Sequence, residues 1–448
     1  MADQFRYDCM GCAGERDIGT PHLDALAASG VRYTRAFAQS PVCAPARQAL
    51  FSGRHPDSFG AILNYDFIPT NTIKPGGTWP EQLNDRGYDS AYVGKWHCSP
   101  DYGPADFGYR SAIDFGGHKA LMREQYAGLE FSGGWFGCES PVALEHSETH
   151  WLAARAAECL GKFAAGGGPF HMYVDFGIPH LPCRPSAPFS GMYAGTPIPP
   201  WDGFGDTFEG KPYIHRQQPV NWQIDGYSWA DFEPAVRRYY AMVSQLDDAI
   251  GKILRALDGS GLRDSTIVVF TSDHGDMCGS HGMLDKHCVM YEDIVRVPLV
   301  VRVPGAAPFA CADFVSNALD LPVTLRELLG LPEDAGAHGL PLTLAGGRTN
   351  GRRYITSSGS GQQFGLFTTR MIRGDRYKYV WNPTDTDEFY DLGADPGEKR
   401  NLINRPEHAA AVTQMRRDLH ADLASHGDPF ATSGWLDGQL LRGRKLQR

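Results

Sequence analysis

The chain has 448 residues, of which 42% are hydrophobic, 21% charged and 11% aromatic; this composition supports a sizeable core and excludes the disordered, collagen-like and coiled-coil classes. Its net charge of −10 offers no bulk basic field to a phosphate backbone, so nucleic acid is not an expected partner. The longest apolar runs, such as 267–270 and 298–301, fall far short of the roughly 18 residues that cross a bilayer. The first residues, Met1 to Asp8, lack the basic and apolar stretches of a secretory signal, and the sequence as it stands reads as cytoplasmic. Ten cysteines are too thinly spread for a disulfide scaffold and read as small buried hydrophobes.

Along the chain, helices and strands alternate, with Gly and Pro gathered in the connections. Thr20 and Pro21 supply a cap and an N1 proline for a helix closed by Gly30, and a strand follows at 31–33. A helix over 78–86, stopped by Gly87, leads into a short buried strand at 90–93 that delivers Gly94-Lys95-Trp96-His97. The same order recurs with a helix near 147–164 before a strand at 170–176, and a long helix near 233–258 before a strand at 266–271. The segment 182–230, rich in Pro, Gly and aromatic residues, reads as a long ordered loop near the site. A strand at 298–303 and a helix at 321–329 continue the pattern.

This alternation predicts an α/β fold over 1–346, a large mainly parallel sheet flanked by helices, with functional residues on loops beyond the carboxyl ends of strands. After Gly346-Gly347 the texture changes to hairpin-like strands at 366–372, 377–381 and 389–390, then a helix near 406–425. A smaller C-terminal α+β lobe over 347–448, with a small antiparallel sheet, is expected there.

The most informative segment is Ser40-Pro41-Val42-Cys43-Ala44-Pro45-Ala46-Arg47. Pro45 at a helix start and Gly53 at its end place Cys43 just before a helix N-terminus, where free N–H groups and the dipole favour an anion. Arg47 adds a cation one turn in. Spacing alone leaves a structural thiol open. The Cys-x5-Arg spacing of a thiol phosphatase is absent, so attack on phosphate by a bare Cys43 thiolate is not expected. Cys9 and Cys12 lack a second pair at zinc-finger spacing. The basic tail 442–448 reads as a solvated end, and Ser357-Ser358-Gly359-Ser360-Gly361 as a flexible loop.

Cys43-Ala44-Pro45-Ala46-Arg47 resembles the Cys-x-Pro-x-Arg signature of the type I, formylglycine-dependent sulfatases of the alkaline phosphatase superfamily. Residues 20–36, Gly94-Lys95-Trp96-His97, Pro179-His180-Leu181-Pro182, Thr271-Ser272-Asp273-His274-Gly275-Asp276 and Phe389-Tyr390-Asp391-Leu392 also resemble elements of that family, in its order. Together they span nearly the whole chain. The resemblance implies an alkaline phosphatase/sulfatase-like fold and oxidation of Cys43 to formylglycine by a separate formylglycine-generating enzyme that reads the motif. A hydrated aldehyde carries two hydroxyls on one carbon. One can attack the sulfur of a sulfate ester; the other, once deprotonated, can expel sulfate and restore the aldehyde.

The resemblance further implies that Asp3, Gln4, Asp273 and His274, with an oxygen of residue 43, hold one divalent cation. Taken alone, Asp-His-Gly after a strand reads equally as a turn with a capping Asp. Oxygen ligands favour Ca²⁺ or Mg²⁺, and the His274 imidazole leaves Mn²⁺ open. Gln4 and His274 resemble a subset that includes phosphonate monoester hydrolases. Lys95, His97, His180 and Lys286 correspond to family residues placed around the ester, where cations neutralise the sulfate oxygens. His97 resembles the base that triggers elimination, and His180 with Lys286 the pair that protonates the leaving alcohol. Singly, Lys286 reads as a surface lysine and His180 as a loop brace; their place in the ordered set carries the assignment. Arg47 completes the catalytic set, and Asn64 is expected to reach the substrate pocket beside Lys95, His180 and Lys286.

The expected activity is hydrolysis of a sulfate monoester, of a carbohydrate or an aryl alcohol, to the alcohol and inorganic sulfate. One alternative is a phosphonate or phosphate ester hydrolase on the same scaffold; another is a non-catalytic relative that binds anions, whose mark would be loss of a core residue. None of Cys43, Arg47, Lys95, His97, His180, Asp273, His274 or Lys286 is missing. The aromatic-rich stretches 201–208 and 213–229 suit stacking on a sugar ring or packing between the lobes. Only Met1 and Ala2 precede Asp3, where the family carries an apolar strand inside the parallel sheet. The expectation is a truncated first strand, unpaired backbone groups beside it, and a chain that begins upstream, which would reopen the cytoplasmic reading.

Overall fold

The computed structural model describes all residues except 15, 67, 287–288, 362–366 and 444–448. Its strands are β1 (Ala2–Asp3), β2 (Val31–Phe37), β3 (Asp89–Gly94), β4 (Ser111–Ile113), β5 (Phe170–Pro179), β6 (Val268–Thr271), β7 (Arg296–Arg302), β8 (Phe309–Ser316), β9 (Ile355–Ser360), β10 (Thr368–Arg373), β11 (Tyr377–Trp381) and β12 (Glu388–Asp391). The orders β1-β5-β3-β4 and β6-β7-β2-β8 meet through a parallel bridge from Ala2 to Ser272, which puts β1 at the seam of one large sheet. Within it only β7 runs against its neighbours; the other ladders are parallel. The remaining sheet, β12-β11-β10-β9, is antiparallel throughout and belongs to the C-terminal lobe.

Local sequence explains the layers. Pro298 to Val301, an apolar run on a doubly covered strand, becomes the buried middle of β7. The Trp229–Gly259 helix starts at a Ser228/Asp231 capping box and buries Phe232, Val236, Tyr239, Val243 and Leu246 at helical spacing. It packs with the Glu148–Gly166 helix on one sheet face. The Asp320–Leu328 helix, Trp79 and Leu83 cover β2, β7 and β8 on the other. Each such fully buried large side chain is worth about 1.5–3 kcal/mol.

The two-residue β1 sits between β5 and β6, with Ala2 opposite Phe176 and Asp3 opposite Pro179. The Met1 ammonium donates to Val174 O at 2.6 Å. Among the described residues no strand separates the first halves of β5 and β6, and residues 170–174 of β5 are only half-buried.

Some expectations are corrected. Residues 355–360 are not a flexible loop but the buried strand β9. Their small side chains allow close approach: a Cβ on Gly359 would lie 2.9 Å from Met290 Cε, and Ser357 Oγ donates to Ala38 O at 2.8 Å. The 182–230 segment contains the Tyr213–Asn221 helix, and a further helix, Gly434–Arg442, follows the expected last one, Ala409–Ser425. Leu366 and the tail from 444 onward, both invoked above, and Cys288, one of the ten cysteines, lie outside the described residues. No helix among the described residues is long and apolar enough to cross a membrane.

Candidate active site

The site lies at the carboxyl ends of β1, β3, β5 and β6, where the Cys43–Ser52 helix begins. Cys43 is the first residue of that helix rather than the residue before it. Val42, at the cap position, has no side chain to accept a first-turn N–H. Asn64 does this instead, its Oδ1 accepting from Ala44 N at 2.9 Å, and the residue is buried. Gly53, at φ 68°, closes the helix.

Four donor atoms from Asp3, Cys43, Asp273 and His274 lie within 4.8 Å of one another, and all four residues are buried. Cys43 Sγ is 3.2 Å from His274 Nε2 and 3.8 Å from Asp3 Oδ1. His274 Nδ1 donates to Gly275 O at 2.9 Å, which turns Nε2 into the cluster; against burial, Asp273 and Cys43 raise the imidazole to about 9, so a cation bound at Nε2 would displace a proton. Asp273 Oδ1 accepts the Gln4 and His274 backbone N–H groups at 3.0 and 2.9 Å. Two carboxylates, an imidazole with Nε2 turned inward and one oxygen or sulfur from residue 43 are a donor set that fits a divalent cation, which would displace the imidazole proton on binding. Gln4, strained at φ 68°, stands beside them: its Oε1 accepts from Lys286 Nζ at 2.8 Å, and its Nε2 donates to Asp276.

The surrounding field favours negative charge at residue 43. Burial alone would raise the Cys43 thiol, but Lys286, Lys95 and His274, with a hydrogen bond from His180, hold it well below the usual range. Burial works against the Lys286 ammonium, yet Asp285, Cys43 and Asp3 push it above its ordinary value. Lys286 Nζ contacts His180 Nε2 at 2.6 Å, and His180 Nδ1 donates to Leu181 O at 2.7 Å. Lys95 Nζ pairs with Asp3. Gly94 makes that possible: at φ 110° it ends β3 so close to β5 that a Cβ would sit 1.9 Å from Asp175 O.

Arg47 lies beneath the cluster. It pairs with Asp175, with Asp273 at 3.0 Å and with Asp3 at 3.5 Å, and it is 1% exposed. These pairs tie the three carboxylates together. His97, at φ 48°, bonds no member of the cluster; its Nε2 pairs with Asp66, and its Nδ1 is buried without a hydrogen-bond partner. Cys9 and Cys12 belong to no cluster of metal donors among the described residues.

Sequence reasoning missed Asp175, Asp276 and Glu148. Burial raises the Asp175 carboxyl to about 6 against the pull of Arg47, and Tyr92 OH donates to it at 3.0 Å. Burial, with Asp285, likewise raises Asp276 to about 6. Glu148 is pushed up to about 7 by burial, against nearby Lys95. Asp175 was findable as the lone acid within an apolar strand, and Asp276 closes a quoted motif; nothing local marks Glu148. Of the aromatic stretches, Trp201 is packing: Arg6 lies 3.7 Å from its ring centroid, and its Nε1 donates to Cys278 O at 2.7 Å. Trp135, 58% exposed and edge-on to Trp222 at 5.5 Å, borders a cavity also lined by Leu181 and Asp276.

The family profile described as Sulfatase matches residues 1–331, and that described as N-sulphoglucosamine sulphohydrolase, C-terminal, matches 279–425. The chain is 29% identical over 467 residues to the uncharacterized sulfatase YidJ of Escherichia coli (strain K12), covering 97% of this chain and 88% of that protein. It is 24% identical over 500 residues to the N-acetylglucosamine-6-O-sulfatase of Bacteroides thetaiotaomicron, covering 96% and 86%. In fold it resembles the phosphonate monoester hydrolase of Agrobacterium radiobacter, with a TM-score of 0.81 at 23% identity over 95% of this chain and 94% of that one.

Proposed function

From the premise that this chain belongs to the sulfatase family and is a sulfuric ester hydrolase, we propose that its substrate is a saccharide sulfate monoester, cleaved at residue 43 to alcohol and inorganic sulfate. The observation that carries this reading is the convergence on one buried point of Cys43, the Asp3, Asp273 and His274 donors, and the cations Lys95 and Lys286. Trp135, exposed at a cavity that also reaches Leu181 and Asp276, offers a face for a sugar ring, and one relative is an N-acetylglucosamine-6-O-sulfatase.

In this reading a formylglycine-generating enzyme oxidises Cys43, and the hydrated aldehyde supplies both the attacking hydroxyl and the one that releases sulfate. Asp3, Asp273 and His274, with residue 43, would hold a divalent cation, Ca²⁺ first among the candidates, which polarises the ester oxygens. Lys95 and Lys286 neutralise the sulfate oxygens. The Lys286–His180 contact holds a proton for the leaving alcohol, and Leu181 O fixes the His180 ring so that Nε2 faces Lys286. Asp66 holds Nε2–H of His97, which leaves the unpartnered Nδ1 as the atom that accepts a proton.

The test pairs an aryl sulfate with an aryl phosphonate and adds a panel of 2-O- and 6-O-sulfated glucosamines, with product release as the readout. Sulfated sugars are expected to turn over fastest and the phosphonate slowest; a preferred phosphonate would overturn the ester assignment, and a preferred aryl sulfate the saccharide assignment. Cys43→Ala is expected to abolish turnover. Fully active protein showing only unmodified Cys43 by peptide mass spectrometry would refute the aldehyde.

A further inference from the structure

Glu148 is an acid at the rim of the site to which the chemistry at residue 43 gives no task. It is the first residue of the Glu148–Gly166 helix, which runs back along the sheet and leads into β5. A helix that enters β5 in this way begins above the carboxyl ends of the strands, on the side where Lys95 leaves β3 and His180 follows β5. The carboxylate lies over the end of β5: a Cβ on Gly177 would meet Glu148 Oε1 at 2.7 Å and Phe115 Cζ at 3.8 Å. Gly177 stands between Asp175, opposite Gly94 of β3, and Pro179, opposite Asp3 of β1.

The fold does not use this carboxylate. Ser147 caps the helix, its Oγ accepting from His150 N at 3.3 Å. Among the described residues Glu148 makes no hydrogen bond or ion pair, although it is half-buried. The cations that act on it are Lys95, already committed to Asp3, and Lys119, which is exposed. A carboxylate withdrawn from water without a partner is costly and calls for a donor. That donor is not the sulfate group, which Lys95 and Lys286 receive and which a like charge repels. What remains is the alcohol portion of the substrate, beside the ester.

We propose that Glu148 is a specificity-determining residue, whose carboxylate accepts a hydrogen bond from a hydroxyl or ammonium group that the substrate's alcohol carries close to the ester, and which turns away alcohols with a second anion there. A fixed acceptor favours the alcohol that supplies a donor and rejects the one that sets a like charge against it. The proposal rests on the reading that a sulfate ester is cleaved at residue 43, and it applies to a sugar or an aryl alcohol alike.

The test measures kcat/KM of the metal-loaded enzyme on three substrate pairs, for wild type, Glu148→Gln and Glu148→Lys. The pairs are phenyl sulfates with an ortho hydroxyl or carboxylate, the same with a meta substituent, and glucosamine 6-O-sulfate as the free amine or its N-sulfate. Wild type is expected to prefer the donor member. In Glu148→Gln the donor-to-anion ratio should fall at least tenfold in one pair or more, and in Glu148→Lys the preference there should reverse. Both members are measured on one preparation, so a partial loss of folded or loaded enzyme cancels from the ratio. Should Glu148→Lys not fold, Glu148→Gln decides alone. A ratio within twofold of wild type in every pair that wild type hydrolyses would overturn the proposal and leave ester hydrolysis standing. Sulfate release by wild type from none of the substrates would overturn the reading of residue 43, and this proposal with it.

Discussion

The Cys43–Ser52 helix meets buried charge beyond both its ends. Beyond its C-terminal end, Arg370 donates from Nε to Asp428 at 2.7 Å, from Nη2 to Asp57 at 2.9 Å, and from Nη1 to Thr368 Oγ1 and Thr369 O, each at 2.9 Å. The second Asp57 oxygen accepts from Ser358 Oγ. Every nitrogen of that guanidinium is matched, and the network seals the lobe interface. At its N-terminal end the carboxylates of Asp3 and Asp273, the His274 Nε2 and residue 43 instead aim at one another. Buried charge alone therefore marks nothing; a structural network satisfies itself pairwise, while a reactive one leaves like groups converging on a point that something else must fill.

The sharpest way to break this contrast is Asp273→Ala, which removes one converging carboxylate and a partner of Arg47. Substrate turnover should fall by about 10²–10³-fold or more, with loss of the bound divalent ion by elemental analysis and little change in the lobe interface. At the other end, Arg370→Met should leave turnover per folded molecule intact but cost about 3–5 kcal/mol by denaturant unfolding, because Asp57 and Asp428 are left buried and unpaired. Adding Asp428→Asn should recover part of that loss, and a strictly additive double mutant would show that the pair is not coupled.

Gly94→Ala probes both properties at once. Its Cβ would collide with Asp175 O, and φ 110° disfavours any side chain, so a loss of about 1–3 kcal/mol is expected together with reduced turnover as Lys95 shifts. Unchanged melting and activity would mean that the approach of β3 to β5 relaxes freely.

The smallest effect belongs to Asp247, remote from both ends, which accepts the His22 and Leu23 N–H groups at 3.1 and 2.7 Å. Burial raises its carboxyl from 3.8 to about 6 against those two bonds. Between about pH 4 and 6 the folded state then holds a proton that the unfolded chain has released, so stability falls as pH rises through that window, by at most about 1.4 kcal/mol per pH unit. In Asp247→Asn the slope over that window should be shallower than in wild type by this one group's share, the buried Asp175 and Asp276 carboxyls keeping theirs, as read from a pH series of unfolding curves.

Much of this molecule is legible in its residue order, because helix and strand periods, caps and stops act over a few residues. The Trp229–Gly259 and Glu148–Gly166 helices, β3 and β5 emerge close to their expected places. The Cys-x-Pro-x-Arg segment and Asp273-His274 are local strings and could be named without coordinates. Only the tertiary structure decided what these strings touch. Gln4 N meets Asp273 across 269 residues, and Arg47 meets Asp175 across 128; no local signal encodes such pairings. It also turned His97 toward Asp66, set Asn64 on the helix start, and reversed β7 within an otherwise parallel sheet. The Ser-Gly segment at 355–360 shows the reason most plainly: its composition favours a loop, but β10 on one side and the backbone at Ala38 and Gln39 nearby supply hydrogen-bond partners that exist only once the chain has folded.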